Sequence, residues 1–200
     1  MLLSSTYKAP LVLRNKHLHT IIPSFFFKQK LTYSSRERIT LPDNDFIDLD
    51  WLKTGNKKMV LLLHGLESTS QKYYMKHTAD FLSKKGYDIA AMNYRGCSGE
   101  PNKYYKGYHS GSSTDVADII SHLNVTYNYD ELYIVGFSLG GNILLKYLAE
   151  YKYEVPNNFV KGVALSSPID LKSVSLQLST TFSGLYQSYF LKKLNKKLIQ

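Results

Sequence analysis

The chain has 200 residues, 44% hydrophobic and 20% charged, with a net charge of +9 and one cysteine. That length suits one domain with a substantial core, and one cysteine excludes an internal disulfide framework and any cysteine-based zinc site. No apolar run approaches the roughly 20 residues that span a bilayer, and the N-terminal apolar stretches are broken by Lys8, Pro10, Arg14 and Lys16, unlike a signal peptide. The expected location is the cytoplasm.

Residues 1–35 read as an irregular, aromatic and basic arm, interrupted by Pro10 and Pro23. From Arg36 the pattern alternates with period two. Arg36–Leu41 and Phe46–Trp51, joined by Pro42-Asp43-Asn44-Asp45, predict an antiparallel hairpin at a sheet edge. The unbroken apolar run Met59–Leu63 predicts a central strand buried on both faces. Tyr74, Thr78, Phe81 and Leu82 form a helical stripe closed by Gly86 as a C′ glycine, and residues 87–93 form the next strand. Val116, Ile119, Ile120 and Leu123 repeat at helical spacing behind Asp115, which suits a helix start. Leu132–Val135 is a strand. Leu144, Leu145 and Leu148 give the helix after it a buried face, and Phe159–Leu165 is a further strand. Alternating strands and helices predict an α/β fold with a doubly wound, mostly parallel sheet. The last segment, residues 185–200, predicts an amphipathic helix. Phe190, Leu191, Leu194 and Leu198 lie on one side, and Lys192, Lys193, Lys196 and Lys197 fall away from it.

The basic charge is uneven, because six Lys or Arg residues precede the first acid, Glu37. Such charge suits an anionic membrane surface or nucleic acid, but solvated lysines explain it as well. With no nucleic-acid motif present, no nucleic-acid partner is expected. Peripheral membrane contact and the oligomeric state stay open.

The segment most informative about chemistry is Gly136-Phe137-Ser138-Leu139-Gly140-Gly141, between a strand and a helix. A G-x-S-x-G turn there holds its serine at a strained elbow, with small residues two before and two after, and lifts the hydroxyl toward a substrate carbonyl. Ser138 is the predicted nucleophile. The loop His64-Gly65-Leu66-Glu67 follows the central strand, where such hydrolases place one oxyanion-hole N–H; the residue after the nucleophile supplies the other. The predicted donors are the backbone N–H groups of Leu66 and Leu139. All six histidines, at 17, 19, 64, 77, 109 and 122, precede Ser138, whereas in this architecture the base follows the nucleophile in order Ser, Asp or Glu, His. His109 is a candidate out-of-order base, although a loop-fixing role is the commoner one for such a histidine. Asp170 reads as a helix N-terminal aspartate before it reads as a triad acid. Cys97 reads as a buried structural thiol. No metal-ligand spacing, P-loop or dinucleotide fingerprint is present, and no cofactor is expected.

Several blocks resemble one family. Asn15-Lys16-His17-Leu18-His19-Thr20-Ile21-Ile22-Pro23 is similar to the N-x-H-L-Q-T-hydrophobic-P segment of the YheT-like α/β-hydrolases, with His19 in place of glutamine. Leu63-His64-Gly65-Leu66-Glu67-Ser68 resembles their H-G-L-E-G-S loop, with Ser68 in place of glycine. Residues Asn93 to Asn102 resemble their N-[FY]-R-G-C-S-G-E-P-N segment, and Tyr108-His109-Ser110-Gly111 and Gly136 to Asn142 match further blocks. The resemblance implies the α/β-hydrolase fold and an esterase or lipase that hydrolyses a small-molecule ester substrate, carboxylic and of acyl or lipid type. It places the triad acid and histidine after a seventh and an eighth strand, beyond residue 200. The chain then reads as the N-terminal two-thirds of a hydrolase, with an arm over 1–35, an incomplete core over 36–170 and the start of a cap over 171–200. The alternative is a catalytically incomplete short form that binds lipid or a partner.

Overall fold

The computed structural model describes residues 4–26, 29–152 and 154–198; the side chains at 16, 24, 25, 182, 183 and 196–198 lie outside the described set. Expectations for Lys196, Lys197 and the Leu198 side chain therefore fall outside it. The chain divides into two compact units, Met1–Lys30 and Leu31–Gln200.

The first unit is more regular than its sequence suggests. It carries a helix, α1 (Lys16–Phe26), where an irregular arm was expected. Asn15 nucleates it, its side-chain oxygen accepting from the N–H groups of His17 at 2.9 Å and Leu18 at 3.3 Å, an N-cap that satisfies two orphan donors. Pro23 sits inside the helix.

The second unit is a six-stranded sheet in the order β1-β2-β4-β3-β5-β6. Its strands are β1 (Ser35–Thr40), β2 (Phe46–Leu52), β3 (Lys58–Leu63), β4 (Asp88–Asn93), β5 (Glu131–Phe137) and β6 (Phe159–Leu165). β1 and β2 are antiparallel to their neighbours, and the β4-β3-β5-β6 pairs are parallel. The helices are α2 (Tyr73–Ser83), α3 (Ser113–Thr126), α4 (Leu139–Glu150), α5 (Leu171–Thr180) and α6 (Leu185–Leu198). One apolar cluster joins Trp51, Leu61, Leu63, Met92, Ile119 and Ile143 on one face of the sheet; a second joins Val60, Leu62, Met75, Ala79 and Ile89 on the other. Helices on both faces bury β3 from either side, so its sequence is apolar without alternation.

The hairpin departs from a half-exposed edge. β2 has β4 on its other side, so neither of its edges is free, and even its polar residues are covered: Asp48 is fully buried and Asp50 nearly so. Cross-strand arginines pair with them in register. Arg36 Nε and Nη2 meet Asp50 at 2.7 and 2.9 Å, and Arg38 Nε and Nη2 meet Asp48 at 2.8 and 2.9 Å. In α2 the buried positions are Met75 and Ala79 rather than Phe81, which is exposed. Gly86 closes that helix at φ +86°, and the Tyr87 N–H reaches back to the Leu82 carbonyl at 3.3 Å, a Schellman ending that favours glycine. No helix among the described residues is long and apolar enough to cross a membrane.

Candidate active site

β5 ends at Phe137, and the chain turns through Ser138 at φ +52°, ψ −119° before α4 begins at Leu139. A left-handed φ at a non-glycine residue costs on the order of 1–3 kcal/mol and persists only where its surroundings enforce it. Here they do. The Ser138 N–H donates to the Leu165 carbonyl of β6 at 2.8 Å. The flanking glycines admit no side chain: a Cβ on Gly136 would stand 2.5 Å from the Gly140 carbonyl oxygen, and one on Gly140 would stand 2.5 Å from the carbonyl oxygens of both Leu63 and His64. Ser138 itself is exposed, between buried Gly136 and Leu139.

The same close approach brings the loop after β3 to the serine. A Cβ on Gly65 would lie 3.2 Å from Ser138 Cβ and 3.7 Å from its Oγ. The Leu66 N–H, in that loop, has no acceptor among the described residues. The Leu139 N–H opens α4, where the first amides lie outside the intrahelical ladder and the helix dipole favours negative charge. Ser138, Leu66 and Leu139 thus come from two adjacent strand ends.

The loop is held by its neighbours. His64 is fully buried; its Nδ1 donates to the Gly65 carbonyl at 2.7 Å and its Nε2 accepts from the Tyr94 N–H at 3.3 Å. The Tyr74 hydroxyl accepts from the Gly65 N–H at 3.1 Å and is hydrogen-bonded to Ser68 Oγ at 2.7 Å. The Tyr108 hydroxyl accepts from the Glu67 N–H at 2.7 Å and donates to Glu67 Oε1 at 3.1 Å. Lys193 of α6 donates to the Glu67 carbonyl at 3.1 Å, so this lysine turns inward rather than falling away with the others as its sequence spacing suggested. Tyr189, one turn earlier, lies under its ammonium at 4.7 Å. Tyr74, Tyr108 and Lys193 carry no sequence signal for this role, since they lie 9, 41 and 126 residues from their partners.

The remaining candidates lie elsewhere. His109 Nδ1 accepts from the Gly111 N–H at 2.9 Å, and the His109 N–H reaches Ser112 Oγ at 3.0 Å, so it fixes its own loop. His122 pairs with Glu37 at 2.8 Å. Among the described residues Ser138 Oγ has no hydrogen bond to a histidine. Asp170 caps α5, accepting from the Ser173 N–H at 3.0 Å; its hydrogen bonds with Ser173 hold the carboxyl below the usual range. Cys97 is buried. No group of three or more His, Cys, Asp or Glu among the described residues could hold a metal ion.

A strained serine at a strand-to-helix elbow, on a sheet of order 1-2-4-3-5-6, defines a class of protein. Residues 58–200 match the family described as the alpha/beta hydrolase fold, and the chain belongs to it. Within it the chain is similar to YheT of Escherichia coli (strain K12), a provisionally named esterase, with 34% identity over 88% of this chain and 53% of that protein. It is also similar to phospholipase ABHD3 of Bos taurus, with 27% identity over 80% of this chain and 44% of that one. The chain spans about half the length of these curated relatives. Among solved structures, the esterase Pf2001 of Pyrococcus furiosus superposes with a TM-score of 0.65 and 26% identity, over 81% of this chain and 61% of that one.

Proposed function

We propose that this chain carries the nucleophile and oxyanion hole of a serine esterase acting on carboxylic esters of acyl or lipid type. Ser138 Oγ attacks the ester carbonyl and forms a tetrahedral intermediate. The Leu66 and Leu139 N–H groups take the charge that develops on the carbonyl oxygen, and collapse releases the alcohol and leaves an acyl group on Ser138. Water then attacks the acyl-enzyme, releasing the acid and restoring the serine. The proton of Ser138 needs a general base. The reading assigns that histidine and its carboxylate partner to sequence outside this chain, in keeping with its spanning about half the length of its curated relatives. It gives residues 171–200 to the start of a cap, supported by the bond from Lys193 to the Glu67 carbonyl. The names of the relatives, an esterase and a phospholipase, support the substrate class.

The observation that carries the reading is the left-handed φ of an exposed Ser138 against the backbone of Gly65. The test is labelling of the full-length protein with an activated phosphonate. The native serine should react, and Ser138→Ala should lose labelling and ester hydrolysis by a factor on the order of 10⁴–10⁶. Undiminished labelling of the alanine variant would remove Ser138 from its role.

A further inference from the structure

We infer that Tyr74 and Tyr108 are positioning residues for the oxyanion hole, clamping the strand-end loop on either side of Leu66 so that, of the three amides after His64, the one at Leu66 stays available to substrate. This rests on the esterase reading and adds to it the side chains that set the reaction's geometry.

Three consecutive amides follow the buried His64. The first, at Gly65, donates to the Tyr74 hydroxyl, and the third, at Glu67, donates to the Tyr108 hydroxyl. The middle one, at Leu66, is the predicted oxyanion donor. A loop left alone would let the three amides swivel together. Glu67 stands at φ +50°, a conformation that L-residues hold only when their surroundings enforce it. Tyr108 grips this residue twice, through its N–H and its carboxylate.

Tyr74 does the same on the other side. Its hydroxyl bridges the Gly65 N–H and Ser68 Oγ, so Ser68, where the resembled loop has glycine, gives the hydroxyl a second partner. Both rings are themselves fixed. Tyr74 packs edge-on to Phe137, the residue before the nucleophile, at 4.9 Å, and Tyr108 stacks on Tyr94 at 5.0 Å with 6° between planes. Burial raises both phenols above their usual pKa, so both stay protonated near neutrality. The clamp therefore reaches the elbow through Phe137 and the oxyanion loop through the hydroxyl. An oxyanion donor must meet the oxygen at about 2.7–3.1 Å in the transition state, and misplacement by about 1 Å can cost 10²-fold.

The experiment compares Tyr74→Phe, Tyr108→Phe, Ser138→Ala and Tyr129→Phe in the full-length protein, with p-nitrophenyl butyrate as substrate. Tyr129 is a control: its hydroxyl binds Asp88 at 3.0 Å, so its loss removes a comparable hydrogen bond with no tie to the loop. Removing either clamp hydroxyl should lower kcat by about 10- to 100-fold and change KM less than twofold, while Tyr129→Phe moves the melting temperature and leaves kcat alone. Unchanged kcat in both clamp variants, with Ser138→Ala inactive, overturns the clamp and leaves the esterase reading intact. Full activity of Ser138→Ala instead overturns the reading on which the clamp depends. If one clamp variant fails to fold, the other decides; failure of both would assign the hydroxyls to stability and overturn the proposal.

Discussion

Small residues at the elbow have one physical cause: two backbone segments pass where a methyl group would have to go. Gly140→Ala would drive a Cβ to 2.5 Å from the carbonyl oxygens of Leu63, the last residue of β3, and His64, the next one, and those oxygens cannot swing aside as a flexible side chain would. We expect Gly140→Ala to destabilise the fold by about 2–3 kcal/mol, read by urea denaturation. Gly107→Ala supplies the contrast, because nothing stands within 4 Å of a Cβ there and φ is not left-handed. It should change stability by less than about 0.5 kcal/mol. Equal costs at the two sites would show that the close approach at Gly140 does not constrain the turn.

The block most diagnostic of the family, Arg95 to Asn102, holds its hydrogen bonds away from the elbow. It acts as a clasp between elements. Arg95 Nε and Nη2 bind Asp115 at the start of α3 at 2.8 and 2.9 Å, and its Nη1 reaches Asp45 in the β1–β2 turn at 3.3 Å. Asn102 holds the Gly96 N–H, Asp45 and the Phe46 carbonyl. Glu100 pairs with Arg38, and the Ser98 carbonyl accepts from Arg36. Hairpin, α3 and the loop after β4 are thus tied to one buried guanidinium. Breaking one partner of a buried pair leaves a charge without compensation, so Arg95→Ala should cost about 3–5 kcal/mol. A loss under about 1 kcal/mol in denaturant would contradict the clasp.

Across the whole molecule, acid should be the weak side. Burial raises the carboxyls of Glu37, Asp48 and Asp50, but hydrogen bonds and ion pairs outweigh it and hold each below its usual value: Tyr127, His122 and Trp51 for Glu37, Arg38 for Asp48, and Arg36, Ser70 and Asn93 for Asp50. A carboxyl with a lowered folded pKa binds protons in the unfolded state first. Its contribution is complete above the unfolded value, about 4, and is lost as pH falls through the lower folded value. Asp118, raised by burial and by Asp115, opposes them. The unfolding midpoint should hold near neutrality and drop steeply below about pH 4; a midpoint unchanged to pH 3 would deny these groups that role. At the other end of the sheet, β6 pairs only with β5 among the described residues. Val160, Val163 and Leu165 are 50%, 40% and 42% exposed. An apolar edge of this kind recruits further strands, so the 200-residue chain by itself should self-associate or bind a hydrophobic dye. Light scattering that shows a monodisperse, dye-free monomer would refute this. That chain should also hydrolyse esters poorly, at best about 10³–10⁴ over water; turnover near about 1–10³ per second would mean that an upstream histidine completes the site.

Local pattern was enough for the strands, the elbow and the class of protein. The run at Met59–Leu63, the alternation in the hairpin and the glycines about Ser138 each answer a constraint met within a few residues, so each is written locally. The irregular reading of residues 1–35 missed α1, because Pro23 argues against a helix while the Asn15 cap argues for one, and a single sequence does not rank the two. Phe81 lies on the predicted helical stripe and is nonetheless exposed, because periodicity marks a face without saying how wide the covering layer is. Burial of Asp48 and Asp50 was invisible for a related reason: alternation says which residues share a face of β2, and only the groups that fold over that face, Arg36, Arg38, Ser70 and Gln71 among them, decide that it is covered. The partners of the residues flanking Leu66 were beyond sequence altogether. Tyr74, Tyr108 and Lys193 meet one loop from a helix, a distant loop and the last helix, and a hydrogen bond across 126 residues leaves no periodic trace. Patterns set by neighbours along the chain are legible in sequence, whereas contacts set by neighbours in space exist only after the chain has folded.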